Sequence, residues 1–378
     1  MTAAIDPFHA ISISRQAHRL ASEGRSVIHM EFGQPSTGAP AAAIAAAHRV
    51  LDSDAMGYWE SPALKARIAR HYAETQQVSI DSEQILLTCG ASPALVLALT
   101  TRFAPGARVA LARPGYVAYR NTLKALHMVP VELACGAEQG FQISAAAIAA
   151  LDPAPDGLIL ASPANPTGTI IPEAELAAIA ALCRARGIGL ISDEIYHGLS
   201  YGAPTRSLLR SAPEALVINS FSKYFSMAGW RLGWLVVPPA LLDAARARIG
   251  NFFLTPPSLS QHAGLAAFEG RDELDGHVAT YARNRDLLLA ALPRLGLARI
   301  APPDGAFYIY ADIGHLTADS LNFCERLLHD TGVATAPGID FDPVEGHRFL
   351  RFSFAVSTDR VETALARLIP WFAAQPRR

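Results

Sequence analysis

Residues 157–198 read GLILASPANPTGTIIPEAELAAIAALCRARGIGLISDEIYHG. Two apolar runs of strand length, Gly157–Ala161 and Gly187–Ile191, lead into the polar, loop-like segments SPANPTG and SDEIYHG. Between them, Pro172–Arg186 carries Ala, Leu and Ile at helical spacing. Pro172 suits the first helical turn and Gly187 the position just after the last. Strand, helix and strand in this span make a βαβ unit. That predicts parallel strands covered on both faces by helices.

The same pattern extends in both directions. Downstream, Ala215–Ile218 leads into NSFSKYF; upstream, Arg108–Ala112 leads into RPGYVAYR. Ile85–Thr88 runs into Cys89-Gly-Ala-Ser92 and a helix from Pro93 to about Phe103, with Ser92 as its N-cap. Polar residues thus gather where strands end, the place where open α/β sheets bind ligands. From about residue 272 the pattern changes to a long helix (about Glu273–Leu292), a strand-like Gly305–Ala311, an amphipathic helix and a strand over Arg348–Phe354. This predicts a large domain over 42–272 with a mixed, mostly parallel sheet. A smaller α+β domain is expected from 1–41 and 273–378.

Composition supports two lobes, since 378 residues with 51% hydrophobic side chains exceed what one core holds. A balance of 32 basic against 34 acidic residues gives no electrostatic footprint for nucleic acid. No apolar stretch approaches the ~20 residues of a membrane span. The opening MTAAIDPFHAISISRQ has no cationic segment followed by an apolar one, so no signal peptide is expected. Cys89, Cys135, Cys183 and Cys324 show no CxxC or Cys/His ligand spacing. They read as reduced core thiols of a cytoplasmic protein without a structural metal. The twelve histidines receive no role, although His197 and His262 flank polar segments.

Of the 32 basic residues only three are lysines: Lys65, Lys124 and Lys223. Where a bare positive charge suffices, this chain uses Arg. Lys223, at a strand end among Ser220, Ser222 and Arg231, therefore calls for chemistry that Arg cannot do, because a guanidinium stays protonated and forms no Schiff base. The turn at Ala91 and Ser92 opens a helix whose free N–H groups favour a phosphate, joined by the serine hydroxyls and the Arg231 fork. Asp193 ends a buried strand, where a carboxylate needs a partner. Asn165 and Tyr196 can donate hydrogen bonds, and Tyr116 offers a flat face. A ligand with a phosphate, an aromatic ring, a ring nitrogen for a carboxylate and an aldehyde for a lysine is pyridoxal 5'-phosphate.

With SPANPTG, SDEIY, SFSKYFSMAGWRLGW and FLRFSFA in that order, the chain resembles the class I/II aminotransferases of the pyridoxal-phosphate fold-type I superfamily, from about Phe32 to its C-terminus. The resemblance implies that Lys223 bonds the cofactor aldehyde and then shuttles a proton. Asp193 would hold the ring nitrogen protonated, with Asn165 and Tyr196 on the ring oxygen and Tyr116 stacked on the ring. Ala91, Ser92, Ser220, Ser222 and Arg231 would cradle the phosphate. Arg351 would grip the substrate carboxylate, aided by the backbone at Gly33. Tyr58 matches a tyrosine that reaches the neighbouring subunit's phosphate, implying a homodimer with shared sites.

Two departures stand out. GYWESPALKARIA is about three residues shorter than the usual GYTESLGLPALRERIA and carries Trp59. GASPAL stands where relatives acting on aspartate often have GGKQAL, which disfavours a dicarboxylate substrate. Phe8, Ile11, Ile13, Trp59, Phe252 and Phe253 are candidates for an apolar pocket, favouring neutral, hydrophobic or aromatic amino acids. The expected reaction is ping-pong transamination between an α-amino acid and a 2-oxo acid. The alternative is a lyase, decarboxylase or oxidase using the same cofactor. An aminotransferase-like regulator would need an added DNA-binding domain, and only about 30 residues precede EFGQPSTGAP.

Overall fold

The computed structural model describes residues 5–202 and 204–376. Residues 1–4 and 377–378 of the expected small domain lie outside the described residues. Twelve strands are described: β1 (Ile28–His29), β2 (Ile85–Thr88), β3 (Arg108–Arg113), β4 (Val129–Ala134), β5 (Gly157–Ala161), β6 (Gly189–Asp193), β7 (Leu216–Ser220), β8 (Gly233–Val236), β9 (Tyr308–Asp312), β10 (Val333–Ala334), β11 (Ala336–Pro337) and β12 (Phe349–Ser353).

β5, β6 and β7 are almost continuously apolar because both faces of their sheet are covered. The seven-stranded sheet has the order β2-β8-β7-β6-β5-β3-β4. Its strands are parallel except β8, which runs antiparallel to β7 and β2. Side chains alternate between two cores. Ile159, Ile191, Ile218 and Leu235 enter one cluster, while Leu158 and Leu190 enter a second and Val217 and Trp234 a third. The Glu173–Arg186 helix covers one face with Leu176, Ile179, Ala180 and Cys183, spaced three and four apart. Glu173 and Glu175 in its first turn and Arg184 and Arg186 in its last complement the helix dipole. Pro172 is its N-cap rather than its first helical residue.

Two smaller sheets complete the frame. β1 pairs parallel with β10, and β11-β12-β9 form an antiparallel sheet in which Arg351 lies opposite Tyr310, and Ser353 opposite Tyr308. They share a separate core with the His9–Ser22, Arg271–Leu295 and Thr358–Ala373 helices, built around Ile13, Leu292, Phe307, Phe352 and Leu368. No helix among the described residues is long and apolar enough to cross a membrane.

Two expected elements shift. The strand expected from Gly305 begins at Tyr308. Gly305 and Ala306 spend their N–H groups on the carbonyls of Gly168 and Leu199, outside this sheet, and Ala306 is left-handed (φ 55°), which ends the ladder there. The helix expected to be capped by Ser92 starts at Ala91, with Gly90 as N-cap. Gly90 has φ 97°, a backbone state open to glycine, so the turn closes two residues earlier and Ser92 lies inside the helix.

Candidate active site

The C-terminal ends of β2, β5, β6 and β7 face the β9–β12 sheet across a cavity of about 370 Å³. Its position follows from register: Ala161, Asp193 and Ile218 align across β5, β6 and β7, and Ser220 and Thr88 both align with Gly233. The segments after these strand ends carry Ala91 and Ser92, in the first turn of a helix, and Asn165, Tyr196, Ser222 and Lys223 to the cavity wall. A wider cavity of about 600 Å³ opens beside Arg113 and Phe349. Its charges neutralise one another, with Arg113 3.3 Å from Asp342 and Arg348 2.7 Å from Asp312.

Lys223 donates from Nζ to the Gly33 carbonyl. Burial, reinforced by the positive charge of Arg351, pushes its ammonium down to about 8. Asp193 is buried, and desolvation holds its carboxyl above the usual carboxylate range. Tyr119 donates to its Oδ2 at 2.7 Å and the Ile195 N–H to its Oδ1 at 3.1 Å. Both oxygens are thus fixed, and the carboxylate faces the cavity with capacity for one further cationic donor.

Arg351 is buried, its guanidinium held between the rings of Tyr308 (4.4 Å) and Phe341 (4.6 Å). It donates from Nη1 to Asn165 Oδ1 at 2.7 Å and from Nη2 to the Glu31 carbonyl at 2.5 Å, while Nε has no partner. A buried charge held by neutral acceptors is suited to a carboxylate ligand. Asn165, its oxygen engaged, keeps its amide N–H groups for the cavity.

At the opposite end, Arg231 donates to the Ala228 and Cys89 carbonyls at 2.8 and 3.2 Å. A Cβ on Gly90 would sit 2.6 Å from Arg231 Nη2, so glycine lets the guanidinium close against the start of the Ala91–Arg102 helix. Helix N–H groups, Ser222 and Arg231 thus form a cradle for a dianion. This donor set, a buried carboxylate and an amine of lowered basicity fit pyridoxal phosphate.

The structure brings together Gly33, Ala91, Ser92, Tyr116, Asn165, Asp193, Tyr196, Ser222, Lys223, Arg231 and Arg351. Ser220 stands apart: its hydroxyl donates to the Leu232 carbonyl at 2.9 Å and lies 2.8 Å from Ser222 Oγ, so it backs Ser222 without lining the cavity. Tyr58 does not line this cavity and is 86% exposed. Of the six apolar pocket candidates only Phe8 lines the cavity. Ile13 is in the core around Leu292 and Phe307, Phe253 packs on the core around Ile159 and Ile191, and Trp59 stacks on His262 at 4.7 Å. Ile11 and Phe252 are exposed. Amphipathic spacing sends Ile13 inward with Ala10 and Ala17 on its own helix, which overrides any pocket role. Tyr119, Phe32 and Tyr308 were missed. Only Tyr119 had a signal in the chain, three residues beyond Tyr116 on the same helical face. His197 is buried beside Glu194, with Nδ1 3.5 Å from Oε2, and burial keeps it neutral by lowering it to about 3.

The family model for aminotransferase class I and II matches residues 25–368. A valine–pyruvate aminotransferase of Mycobacterium tuberculosis is 46% identical, with 99% of this chain and 98% of that protein aligned. A crystal structure of an aminotransferase from Mycobacterium tuberculosis superposes with a TM-score of 0.96 at 46% identity, covering 98% of both chains. An aspartate aminotransferase of Thermus thermophilus with maleate superposes at 0.91 and 30% identity, covering 97% of both. The chain therefore belongs to the class I and II aminotransferases, pyridoxal-phosphate enzymes that move an amino group between an amino acid and a 2-oxo acid.

Proposed function

We propose that this aminotransferase takes neutral, hydrophobic amino acids and a small 2-oxo acid such as pyruvate. The observation that carries this reading is the cavity's inventory of cations. It holds Lys223, Arg231 and Arg351, and each has a task in the common chemistry. No lining Arg remains for a distal carboxylate, and Phe8, Phe32, Leu95 and Ile195 supply apolar wall. The valine–pyruvate specificity in the name of the 46% identical relative supports the same reading.

In this mechanism pyridoxal phosphate supplies an aldehyde that accepts the amino group and a ring that withdraws electrons. Ser222, Arg231 and the N–H groups at Ala91 and Ser92 would hold its phosphate, and Tyr116 would stack on its ring. Asp193, fixed by Tyr119, would keep the ring nitrogen protonated. Asn165 and Tyr196 would donate to the ring oxygen. Arg351 fixes the substrate carboxylate as a two-pronged donor and so orients the α-carbon. Lys223 Nζ would accept the substrate α-proton and give it up to the cofactor carbon that carried the aldehyde, a transfer that general base catalysis speeds by about 10²–10⁴-fold.

Tyr58 belongs, on this reading, to the neighbouring subunit's site in a homodimer. Ile44, Leu51, Tyr58, Trp59, Phe252 and Leu254 are large apolar side chains exposed in one protomer, and they support such an interface. The chain divides into 42–272 and the pair 1–41 with 273–378. Support comes from the two crossings lying side by side, where the Ala41 N–H donates to Glu273 Oε2 at 3.0 Å. Four free cysteines fit residence in the reducing cytoplasm.

The experiment is the near-visible spectrum of holoenzyme titrated with a panel of amino acids, then with pyruvate or 2-oxoglutarate. Valine, leucine or phenylalanine should bleach the aldehyde-form band and pyruvate restore it. Preferential bleaching by aspartate or glutamate would overturn the substrate class.

A further inference from the structure

Tyr308, the first residue of β9, belongs to none of the motifs above, yet it touches three groups of the site. Its hydroxyl lies 2.6 Å from that of Tyr196. Its ring lies 4.4 Å from the Arg351 guanidinium carbon. Gly33 passes so close that a Cβ there would overlap the Tyr308 hydroxyl. The residue is fully buried and paired opposite Ser353, so it has little freedom to leave.

Each phenol has a single proton, so in this contact one hydroxyl donates and the other accepts. If Tyr196 donated inward, it would have no proton left for the cofactor's ring oxygen. Charge decides the direction: the Arg351 cation lies 4.4 Å from the Tyr308 ring, nearer than Lys223 Nζ is to the Tyr196 ring (5.8 Å), which makes the Tyr308 phenol the better donor and the poorer acceptor. We infer that Tyr308 is a positioning residue that donates to Tyr196 and so turns the Tyr196 proton toward the cofactor ring oxygen, while its ring seats Arg351 for the substrate carboxylate. One side chain of the small sheet thereby sets both the donor on the cofactor and the fork on the substrate. The inference rests on the Tyr196 role proposed above.

The other titratable or charged groups around the two hydroxyls are Asp193 after β6, Lys223 after β7, Tyr116 and Tyr119 on the segment after β3, and Arg351 on β12. All remain in a Tyr308→Phe enzyme, so a change there reports the lost hydroxyl. A donor to the ring oxygen favours the high-pH form of the bound cofactor, in which that oxygen bears charge without a neighbouring proton. Weakening the donor moves the pH midpoint of the holoenzyme's near-visible absorption upward.

The test is that midpoint in wild type, Tyr196→Phe, Tyr308→Phe and the double variant. Tyr196→Phe should raise it. Tyr308→Phe should raise it by about half a pH unit, and the double variant should match Tyr196→Phe because the hydroxyl acts through Tyr196. KM for the amino acid should stay within about twofold in Tyr308→Phe, which keeps the ring beneath Arg351, and rise in Tyr308→Leu. Replacing Tyr308 with 3-fluorotyrosine keeps ring and hydroxyl, strengthens the donor and should lower the midpoint; it carries the test should the phenylalanine enzyme fail to hold cofactor. A midpoint unmoved by both Tyr308 replacements, or additive shifts in the double variant, overturns the inference while leaving Tyr196 in place. An unmoved midpoint in Tyr196→Phe overturns the Tyr196 role and this inference with it.

Discussion

Lys223 and Arg351 show how a buried site sets the chemistry of single side chains. Burial and the neighbouring Arg351 bring the lysine down to about 8 from the usual 10.5. A lowered amine loses its proton in the fold at a pH where a free one would keep it. Apoenzyme should therefore capture pyridoxal phosphate at a rate rising with pH through a midpoint near 8; a midpoint near 10 would show a solvated amine. The same sign makes apoenzyme stability increase between about 8 and 10.5, where the unfolded lysine still binds its proton and the folded one does not. Arg351 works through shape as well as charge, since its plane lies between Tyr308 and Phe341 and its two Nη atoms have separate partners. A lysine there would keep the charge but lose the stacking and the fork. Arg351→Lys should cut kcat/KM about 100-fold, on the order of 3 kcal/mol, for amino acid and oxo acid alike. Steady-state kinetics of both half-reactions would show it, and a loss confined to one substrate would argue against a shared carboxylate site.

At the scale of elements, the cofactor cradle depends on how one helix begins. Gly90 turns the chain at φ 97° so that the Ala91–Arg102 helix starts against Arg231. Gly90→Ala would strain the backbone and push a methyl into the guanidinium. The enzyme should lose about 1–3 kcal/mol of stability and release cofactor on dialysis; retained cofactor and an unchanged melting temperature would refute this account of the turn. The strands and the Glu173–Arg186 helix were legible because apolar runs and helical spacing are local signals. The helix start was misplaced because Ser92 and Pro93 form a good local cap signal, while Gly90 answers to Arg231, 141 positions along the chain. The same reason hid the contacts that fix the N-terminal segment. Asp6 meets Arg120 and Lys124 at 2.9 Å, and Asp340 accepts the His9 and Ala10 N–H groups at 2.8 Å, holding Phe8 near Tyr116. Motif residues at strand ends could be read as one site because the register of a parallel sheet gathers them. Phe8, Phe32 and Tyr308 could not, since they reach the cavity from segments far from those strand ends in sequence, and their approach leaves no periodic trace.

For the whole molecule, the open question is whether one protomer completes its own site. Tyr58 is 86% exposed and Leu51 58%, and the Ser258 hydroxyl donates to the Gly57 carbonyl at 2.6 Å, tying the Tyr58 loop to the Ser258–Ala267 helix. An isolated protomer would leave these large apolar side chains in water, and a two-fold contact would cover both copies at once. Light scattering should give twice the 40.3 kDa chain mass. The sharper test uses two crippled enzymes, Lys223→Ala and Tyr58→Ala. If Tyr58 serves the neighbouring subunit, a hybrid dimer has one site with Lys223 from one chain and Tyr58 from the other, and a second site lacking both. Unfolding and refolding an equal mixture makes about half of the dimers hybrid, each with one intact site of two, so about a quarter of wild-type activity should return. Tyr58 acting within its own subunit would give a different result, because every site in the hybrid would then lack one of the two residues and mixing would recover nothing.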